Sequence, residues 1–121
     1  MNAHADDFIE ALQGQREISI SVTGRKTGRQ ISLPVWFVLE RQILYLLPVK
    51  GARTQWLRNL KRNPSITLRC RGQRLTREAQ VVQDSQRVEE LVSKLRTKYR
   101  EDQVARWYSA FDTCVAVPLQ G

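Results

Sequence analysis

Residues 50–60 of the chain read Lys50-Gly51-Ala52-Arg53-Thr54-Gln55-Trp56-Leu57-Arg58-Asn59-Leu60. They follow an apolar run from Ile43 to Pro48, which predicts a buried strand. The spacing of the apolar residues then changes to that of a short helix, with Thr54 in a position to cap it. Asn63-Pro64 predicts the end of this helix, because the residue before a proline avoids the helical conformation. The sequence therefore predicts a strand that turns directly into a helix.

The start of that helix is a candidate anion site. The first N–H groups of a helix lack partners within the helix and carry partial positive charge. Lys50 and Arg53 add charge beside them, and Gly51 lets a ligand approach the backbone closely. Such an arrangement most often binds phosphate. A strand-to-helix turn whose charges are merely solvated is the alternative interpretation.

The length of 121 residues predicts a single domain that spans residues 1–121 and buries about two-thirds of its unfolded surface. No apolar run approaches the roughly 20 residues of a membrane helix, and the first residues lack the pattern of a signal peptide. We therefore expect a cytoplasmic protein without a membrane partner. Cys70 and Cys114 lie far apart in apolar stretches, so we expect buried free thiols in a reducing compartment.

Positive charge is concentrated in one part of the chain, whose formal net charge is +8. Residues 16–77 hold 14 Lys and Arg against only Glu17 and Glu40, whereas the remainder holds 6 against 10 acidic residues. Such a distribution places positive potential on one part of the fold and can steer an anion towards it. A nucleic acid and a small phosphorylated molecule both satisfy this requirement.

The order of the predicted elements indicates an α+β fold. Helical spacing predicts a helix over 6–13, the helix after residue 54, a long helix from Asp84 to Tyr99 and a shorter one near Trp107. Alternating or continuous apolar residues predict strands over 18–23, 31–39, 43–47, 66–71, 74–82 and 113–119. About six hairpin-like strands with peripheral helices favour a small antiparallel β-barrel.

The predicted strand over 31–39 has two different faces. One face is wholly apolar and carries Ile31, Leu33, Val35, Phe37 and Leu39. The opposite face carries Ser32, Pro34, Trp36 and Val38. Because proline cannot donate to a strand ladder, we expect a bulge or a sheet edge at this point. We predict that Trp36 lines a groove there; simple core filling is the alternative interpretation.

Several kinds of chemistry are excluded by residue content. The single histidine, His4, lies near the N-terminus, so no catalytic Ser-His-Asp or Cys-His group and no histidine metal site is expected. The acidic residues lie mostly on helix faces, which does not support a paired-carboxylate hydrolase. A chain rich in cations and aromatic residues but poor in catalytic side chains either binds without chemistry or uses a cofactor for it.

An ordered set of motifs resembles the deazaflavin-dependent nitroreductase family, a group of split β-barrels related to flavin reductases and pyridoxamine-phosphate oxidases. The motifs cover roughly residues 18–82. They are Val22-Thr23-Gly24-Arg25-Lys26-Thr27-Gly28-Arg29, Leu33-Pro34-Val35-Trp36-Phe37-Val38, Lys50-Gly51, Trp56-Leu57-Arg58-Asn59-Leu60 and Asn63-Pro64. The resemblance implies a split antiparallel β-barrel that binds a reduced deazaflavin of the coenzyme F-420 type, with FMN as the alternative cofactor.

The resemblance also implies an activity and a set of site residues. A hydride would pass from the deazaflavin to a small organic acceptor such as a nitroaromatic, a quinone or an enone. The aromatic residue Trp36 would border the reaction space. The residues implied to bind the cofactor are Arg25, Lys26, Thr27, Gly28, Lys50, Gly51 and Asn59, and Arg53 adds positive charge. A homodimer is expected by analogy with other split barrels.

Two other functions stay open at this point. A basic β-barrel with aromatic residues can bind nucleic acid, although we do not expect that partner. A carrier that binds a flavin or deazaflavin without turnover would need the same site. The remaining arginines, Arg69, Arg71, Arg74 and Arg77, are expected to form a solvated or subunit-facing surface. Core packing is expected for Trp107 and Tyr108, and closure of one end of the ligand groove is the alternative interpretation.

Overall fold

The computed structural model describes residues 3–120, with side chains from residue 5 onward; Met1, Asn2 and Gly121 of the predicted 1–121 domain lie outside the described residues. The helices are α1 (Ala3–Leu12), α2 (Gln55–Arg62), α3 (Ser85–Lys98) and α4 (Glu101–Trp107), with a 3₁₀ turn at Gly51–Arg53 before α2. The strands are β1 (Ile18–Thr23), β2 (Gln30–Val35), β3 (Val38–Glu40), β4 (Ile43–Leu46), β5 (Ser65–Cys70), β6 (Gln73–Glu78), β7 (Gln80–Val82) and β8 (Cys114–Pro118).

The strands form two antiparallel four-stranded sheets that share bent strands. The first sheet has the order β2-β1-β5-β6 and the second has the order β3-β4-β8-β7. The chain passes from the first sheet to the second between β2 and β3, and again between β6 and β7. Counted through these two bends, the described residues contain six strands in a closed antiparallel ring. The predicted α+β split barrel is confirmed.

The two bends correct the prediction of continuous strands over 31–39 and 74–82. The first bend lies at Trp36–Phe37, and the second lies at Ala79, whose N–H donates to the Pro64 carbonyl at 2.8 Å. At a bend the chain changes its partner strand. At the first bend, for example, β2 pairs with β1, whereas β3 pairs with β4. As expected for a strand with a proline, β2 is an edge strand of the first sheet.

The second sheet is covered on both faces, which explains its continuous apolar sequence. Leu44 and Leu46 of β4 join an inner core between the two sheets, together with α1 and α2. Tyr45 and Leu47 instead join an outer core, in which α3 and α4 pack against the second sheet. Strand β8 alternates in the same way. The prediction of a buried strand after residue 43 is confirmed, as is the burial of free Cys70 and Cys114.

Helix α3 is fastened to the second sheet by charge as well as by apolar packing. Asp84 caps it by accepting from the Gln86 N–H at 3.1 Å. The Glu40 carboxylate on β3 lies 2.7 Å from Arg87 and 2.7 Å from Lys94. Hydrogen bonds from Lys94 and Arg87 lower the pKa of Glu40 to about 2. None of the described helices has the length and apolar character that a membrane-spanning segment requires.

The bend between β2 and β3 is held by the buried hydroxyl of Tyr99, the residue that ends α3. This oxygen accepts from the Phe37 N–H at 3.1 Å and donates to the Arg16 carbonyl at 2.6 Å. The Lys98 ammonium group donates to the Phe37 carbonyl at 3.0 Å. Burial raises the pKa of Tyr99 to about 12, so the hydroxyl stays protonated. The backbone polar groups that leave the ladder at the bend therefore find partners in the end of α3.

We predict that Tyr99→Phe lowers the free energy of unfolding by about 1–3 kcal/mol, because it leaves buried backbone groups of Phe37 and Arg16 without a partner. Urea denaturation measures the change. Tyr108→Phe is the matched control: Tyr108 is also buried, but within the described residues its hydroxyl has no hydrogen-bond partner, so a change below about 0.5 kcal/mol is expected. Equal losses for the two variants would contradict the role given to the Tyr99 hydroxyl.

Candidate functional site

A groove of about 510 Å³ opens beside the bend between β2 and β3. It is bounded by the edge strand β2, by the segment after β4, by the start of α2 and by the end of α4. Most of its wall is apolar or aromatic, with Glu17 as its carboxylate. The lining residues are Glu17, Leu33, Pro34, Val35, Trp36, Leu47, Val49, Thr54, Trp56, Trp107 and Tyr108. Its size is within the range of small-molecule sites.

Aromatic rings form the wall of the groove near the bend. The half-buried ring of Trp36 stacks on Tyr99, with ring centroids 4.2 Å apart and an interplanar angle of 3°. The Tyr108 ring lies 6.1 Å from Trp36 at a tilt of 42°. Trp107 is 59% exposed and also lines the groove, so the expectation that it is core packing is wrong. Tyr108 is buried and also lines the groove, so its side chain is both part of the core and part of the groove wall.

Next to the groove, the chain turns from β4 into α2, and the structure gives this turn a different geometry from the one predicted. Thr54 is the N-cap residue of α2, but its side chain makes no cap hydrogen bond. Its hydroxyl accepts instead from the Lys50 N–H at 2.9 Å. Thr54 also lines the groove, so the groove reaches the positive end of α2.

The close approach at Gly51 is made by the protein itself. Gly51 is buried with φ +57°, and a Cβ there would collide with the Asp112 carboxylate. That carboxylate accepts from the Ala52 N–H at 3.0 Å. The prediction that Gly51 leaves room for a ligand is therefore corrected, because the space belongs to Asp112. This contact ties the segment after α4 to the turn before α2.

The turn between β1 and β2 is locked onto α2 by Arg25 and Asn59. The Asn59 side-chain oxygen accepts from the Arg25 backbone N–H at 3.1 Å and from its guanidinium at 2.8 Å. The same guanidinium donates to Gln55 at 2.8 Å. Asn59 is buried, and Arg25 is partly buried. The structure thus brings these two predicted cofactor residues together and gives them a contact with each other.

The other predicted cofactor residues surround the start of α2 and face solvent. Lys26, Thr27 and Gly28 occupy the tip of the β1–β2 turn, whereas Lys50 and Arg53 precede α2. The Thr27 hydroxyl accepts from the Arg29 N–H at 3.2 Å, and Gly28 has φ +73°, so both also shape the turn. In the described part of the chain, no carboxylate pairs with Lys26, Lys50 or Arg53. These cations remain available to an anionic ligand.

A second basic surface lies on the open face of the first sheet. Arg69 donates to Ser21 at 2.8 Å, and Ser21 is 2.6 Å from Ser32. Arg74 faces Arg69 across the β5–β6 pair, and Arg71 is in the turn between these strands. All three arginines are exposed. This surface is hydrophilic and carries hydroxyl groups rather than aromatic rings, unlike the groove.

The sequence did not indicate that Trp56, Trp107, Tyr108 and Thr54 share one wall. Trp56 and Trp107 have the spacing of packed helical residues, and that spacing alone predicts burial. Their contact with one groove depends on tertiary packing between α2, α4 and the bend. Trp107 and Val49 are both exposed and both line the groove, and large apolar side chains exposed together mark binding surfaces. Residues 5–120 contain no group of three His, Cys, Asp or Glu side chains placed to bind a metal ion.

The fold is a split β-barrel with an aromatic groove beside the bend between β2 and β3. The chain belongs to the F420H(2)-dependent quinone reductase family, whose model matches residues 3–117. It is therefore an oxidoreductase of a family whose cofactor is coenzyme F-420, and the resemblance to deazaflavin-dependent reductases is confirmed. A search of curated proteins gave no match to this chain.

Solved structures with the same fold support the assignment of the architecture. An F420-H2 dependent reductase is 19% identical, with 85% of this chain and 94% of that chain covered and a TM-score of 0.66. A putative pyridoxamine 5′-phosphate oxidase from Listeria innocua is 11% identical, with 93% and 90% covered and a TM-score of 0.66. A structure described as a domain-swapped dimer is 19% identical, with 85% and 80% covered and a TM-score of 0.66. At these identities, the likeness shows the fold alone.

Two neighbouring aromatic residues provide a test of the groove. Phe37 is 1% exposed in the inner core, so Phe37→Ala should cost about 3–5 kcal/mol of unfolding free energy. Trp36 is partly exposed on the groove wall, so Trp36→Ala should cost only about 1–2 kcal/mol but should change turnover and acceptor preference more strongly. Thermal melts and steady-state rates with one acceptor check both variants. A Trp36→Ala protein that unfolds while Phe37→Ala remains stable would reverse the two assignments.

Proposed function

We propose that the protein transfers a hydride from reduced coenzyme F-420 to a small organic acceptor such as a quinone, a nitroaromatic or an enone. The observation that carries the proposal is the junction at Thr54 between an aromatic groove and the cationic start of α2. An aromatic groove suits a flat ring system, and the cationic start of a helix suits a phosphate. The two parts adjoin, as the two ends of one cofactor would require.

The residues present fit a deazaflavin. The groove volume of about 510 Å³ and its tryptophan walls suit a planar ring system. Lys26, Lys50 and Arg53 are exposed cations without carboxylate partners in the described chain, so they can meet the phosphate and the acidic tail. Arg25 is held by Asn59 and Gln55 and adds positive potential from a fixed position.

In this proposal the bound deazaflavin supplies the hydride, and the protein supplies position and charge. Trp36 is fixed by its stack on Tyr99 and presents a rigid face to the ring or the acceptor. The apolar wall excludes water from the reaction space and thereby strengthens electrostatic interactions within it. Holding donor and acceptor in contact accelerates the transfer without any acidic or basic side chain in the hydride step.

We extend the proposal to the cellular compartment and the oligomeric state of the protein. We propose that residues 1–121 act as one cytoplasmic domain, because both cysteines are buried free thiols and thiols persist in a reducing compartment.

We also propose a homodimer, since one fold neighbour is described as a dimer. Light scattering of the purified protein measures the oligomeric state, and a monomer at assay concentration would refute the dimer. We propose no nucleic-acid partner.

Titration of the purified protein with coenzyme F-420 and with FMN tests the proposed function. We expect one deazaflavin per chain, bound more tightly than FMN, because the deazaflavin carries more negative charge towards exposed cations. The margin should shrink with added salt as the charges are screened. The loaded protein should then reduce a small quinone. Stoichiometric FMN that the deazaflavin fails to displace would refute the choice of cofactor, and tight binding without turnover would indicate a carrier.

Substitution of Lys50 separates the proposed phosphate site from general positive charge. Lys50→Ala should weaken deazaflavin binding by about 1.5–3 kcal/mol, because a charge-assisted contact with the phosphate is lost. Arg71→Asn is the matched control: it removes one exposed positive charge from the β5–β6 turn, and asparagine tolerates the φ of +48° there. The control should change binding by no more than about 0.5 kcal/mol. Equal losses would support diffuse binding of a polyanion such as nucleic acid.

A further inference from the structure

One carboxylate, that of Glu17, lies in the wall of the otherwise apolar and aromatic groove. Glu17 directly precedes β1, and the pairing of Ile18 with Val35 places it across from Trp36, beside the bend. The side chain is exposed, and no residue in the described chain forms an ion pair with it. Its negative charge is therefore not neutralised by a partner within the protein.

The position of this carboxylate in the sequence is unusual. Residues 16–77 contain 14 Lys and Arg but only two acidic residues, Glu17 and Glu40. The carboxylate of Glu40 is bound by Arg87 and Lys94, each at 2.7 Å. Within the described residues, Glu17 is thus the one acidic side chain of the basic stretch that has no cationic partner, and it is the one that lines the groove.

The groove therefore has opposite charges near its two ends. One end reaches Thr54 at the start of α2, where Lys50 and Arg53 supply positive charge. The β1–β2 turn is held against α2 by Arg25, which donates to the side chains of two α2 residues. Strand β1 has six residues, so about 20 Å of extended chain separates that turn from Glu17. A ligand in the groove meets cations at one end and a carboxylate at the other.

Aromatic rings share the groove with this carboxylate. All three tryptophans of the chain, Trp36, Trp56 and Trp107, line it, together with Tyr108. The faces of such rings carry partial negative charge and attract a cation that lies within about 6 Å of the ring centre. Rings combined with a carboxylate suit an organic ammonium group, whereas an anionic group is repelled by both.

Two cations of the protein lie near the same rings, but neither lines the groove. The Arg16 guanidinium is 5.9 Å from the Trp36 centroid and 5.3 Å from the Tyr99 centroid, and these two rings are stacked 4.2 Å apart. Nearly equal distances place Arg16 beside the stack, so it does not cover the free face of Trp36. The Lys98 ammonium group donates to the Phe37 carbonyl at 3.0 Å. Both charges weaken the attraction for a cationic ligand, so the expected preference is moderate.

We propose that Glu17 determines specificity for the charge of the acceptor, so that the groove prefers an acceptor whose reducible double bond is joined to an ammonium group and disfavours an anionic acceptor. This inference rests on the proposed function and deepens it. The double bond takes up a hydride with its two electrons as the cofactor is oxidised, and a proton from water completes the reduction. The ammonium group does not react. Its contact with Glu17 and the rings places the double bond within the groove.

Two naphthoquinones that differ only in a remote charge test the inference. Both carry a propyl chain, which ends in trimethylammonium in one compound and in sulfonate in the other. The wild type loaded with reduced deazaflavin should have the higher kcat/KM for the ammonium compound. Glu17→Gln should lower the ratio of the two kcat/KM values about 5- to 20-fold, because it removes an attraction for one compound and a repulsion for the other. The change should shrink with added salt.

Two control variants separate the charge at Glu17 from other effects. Glu17→Asp keeps the carboxylate and should keep most of the preference. Glu89→Gln removes an exposed carboxylate from α3 that has no ion pair in the described chain and does not line the groove. Its kcat/KM ratio should stay within about twofold of the wild-type ratio.

A second measurement needs no cofactor. The unloaded protein is titrated with benzyltrimethylammonium while tryptophan fluorescence is recorded. Because all three tryptophans line the groove, this signal reports on the groove. The wild type and Glu89→Gln should bind with the same affinity, and Glu17→Gln should bind at least about threefold more weakly.

The outcomes distinguish this inference from the proposed function. A wild type that prefers the sulfonate compound or does not bind benzyltrimethylammonium overturns the role of Glu17. A Glu17→Gln variant that matches the wild type in either measurement, or a Glu89→Gln variant that loses as much, overturns it as well. If the loaded wild type reduces neither naphthoquinone but Glu17→Gln weakens the binding of benzyltrimethylammonium, the proposed function fails while the cation site at Glu17 stands.

Discussion

The hydroxyl of Tyr99 holds the point at which one strand leaves the first sheet and enters the second. At such a bend the ladder is interrupted, and the freed backbone groups must find partners or lose free energy. Tyr99 accepts from the Phe37 N–H and donates to the Arg16 carbonyl, and Lys98 donates to the Phe37 carbonyl. The end of α3 therefore supplies the hydrogen-bond partners that the neighbouring strands cannot provide at the bend.

This bend determines where the adjacent aromatic side chains point. Phe37 enters the inner core, whereas Trp36 stacks on the ring of Tyr99 and faces the groove. One residue thus fixes both the closure of the barrel and the wall of the site. The segment after α4 completes that wall, since the Asp112 carboxylate and the Ser109 N–H tie it to the turn before α2. The groove is formed by parts of the chain that lie far apart in sequence.

The distribution of charge explains how a site without acidic or basic catalysts can serve an oxidoreductase. A cofactor that carries its own hydride needs to be bound, oriented and kept away from water. The exposed cations Lys26, Lys50 and Arg53 form no ion pair with a carboxylate in the described chain, so their charges stay available to an anionic ligand. Two acidic residues have partners within the protein: Glu40 binds Arg87 and Lys94 on α3, and Asp112, which lies beside the turn before α2, accepts from the Ala52 N–H.

The sequence predicted those features that depend on local spacing. The buried strand after residue 43, the long helix that starts near Asp84 and the strand after Thr113 follow from apolar periodicity, and the structure has them. The bends at Trp36 and Ala79 could not be predicted, because apolar alternation continues through the first of them and the change of partner strand is a tertiary effect. The Asp112 carboxylate that lies against Gly51 bonds to Ala52, 60 residues away in sequence, so the glycine alone suggested space for a ligand.

The joint site of the groove and the α2 start is tested most directly by a crystal structure of the protein with bound coenzyme F-420. We expect the ring to lie in the groove against Trp36, with its phosphate beside Lys50 and the β1–β2 turn. A ring bound outside the groove, or a phosphate bound on the open face of the first sheet near Arg69 and Arg74, would contradict this expectation.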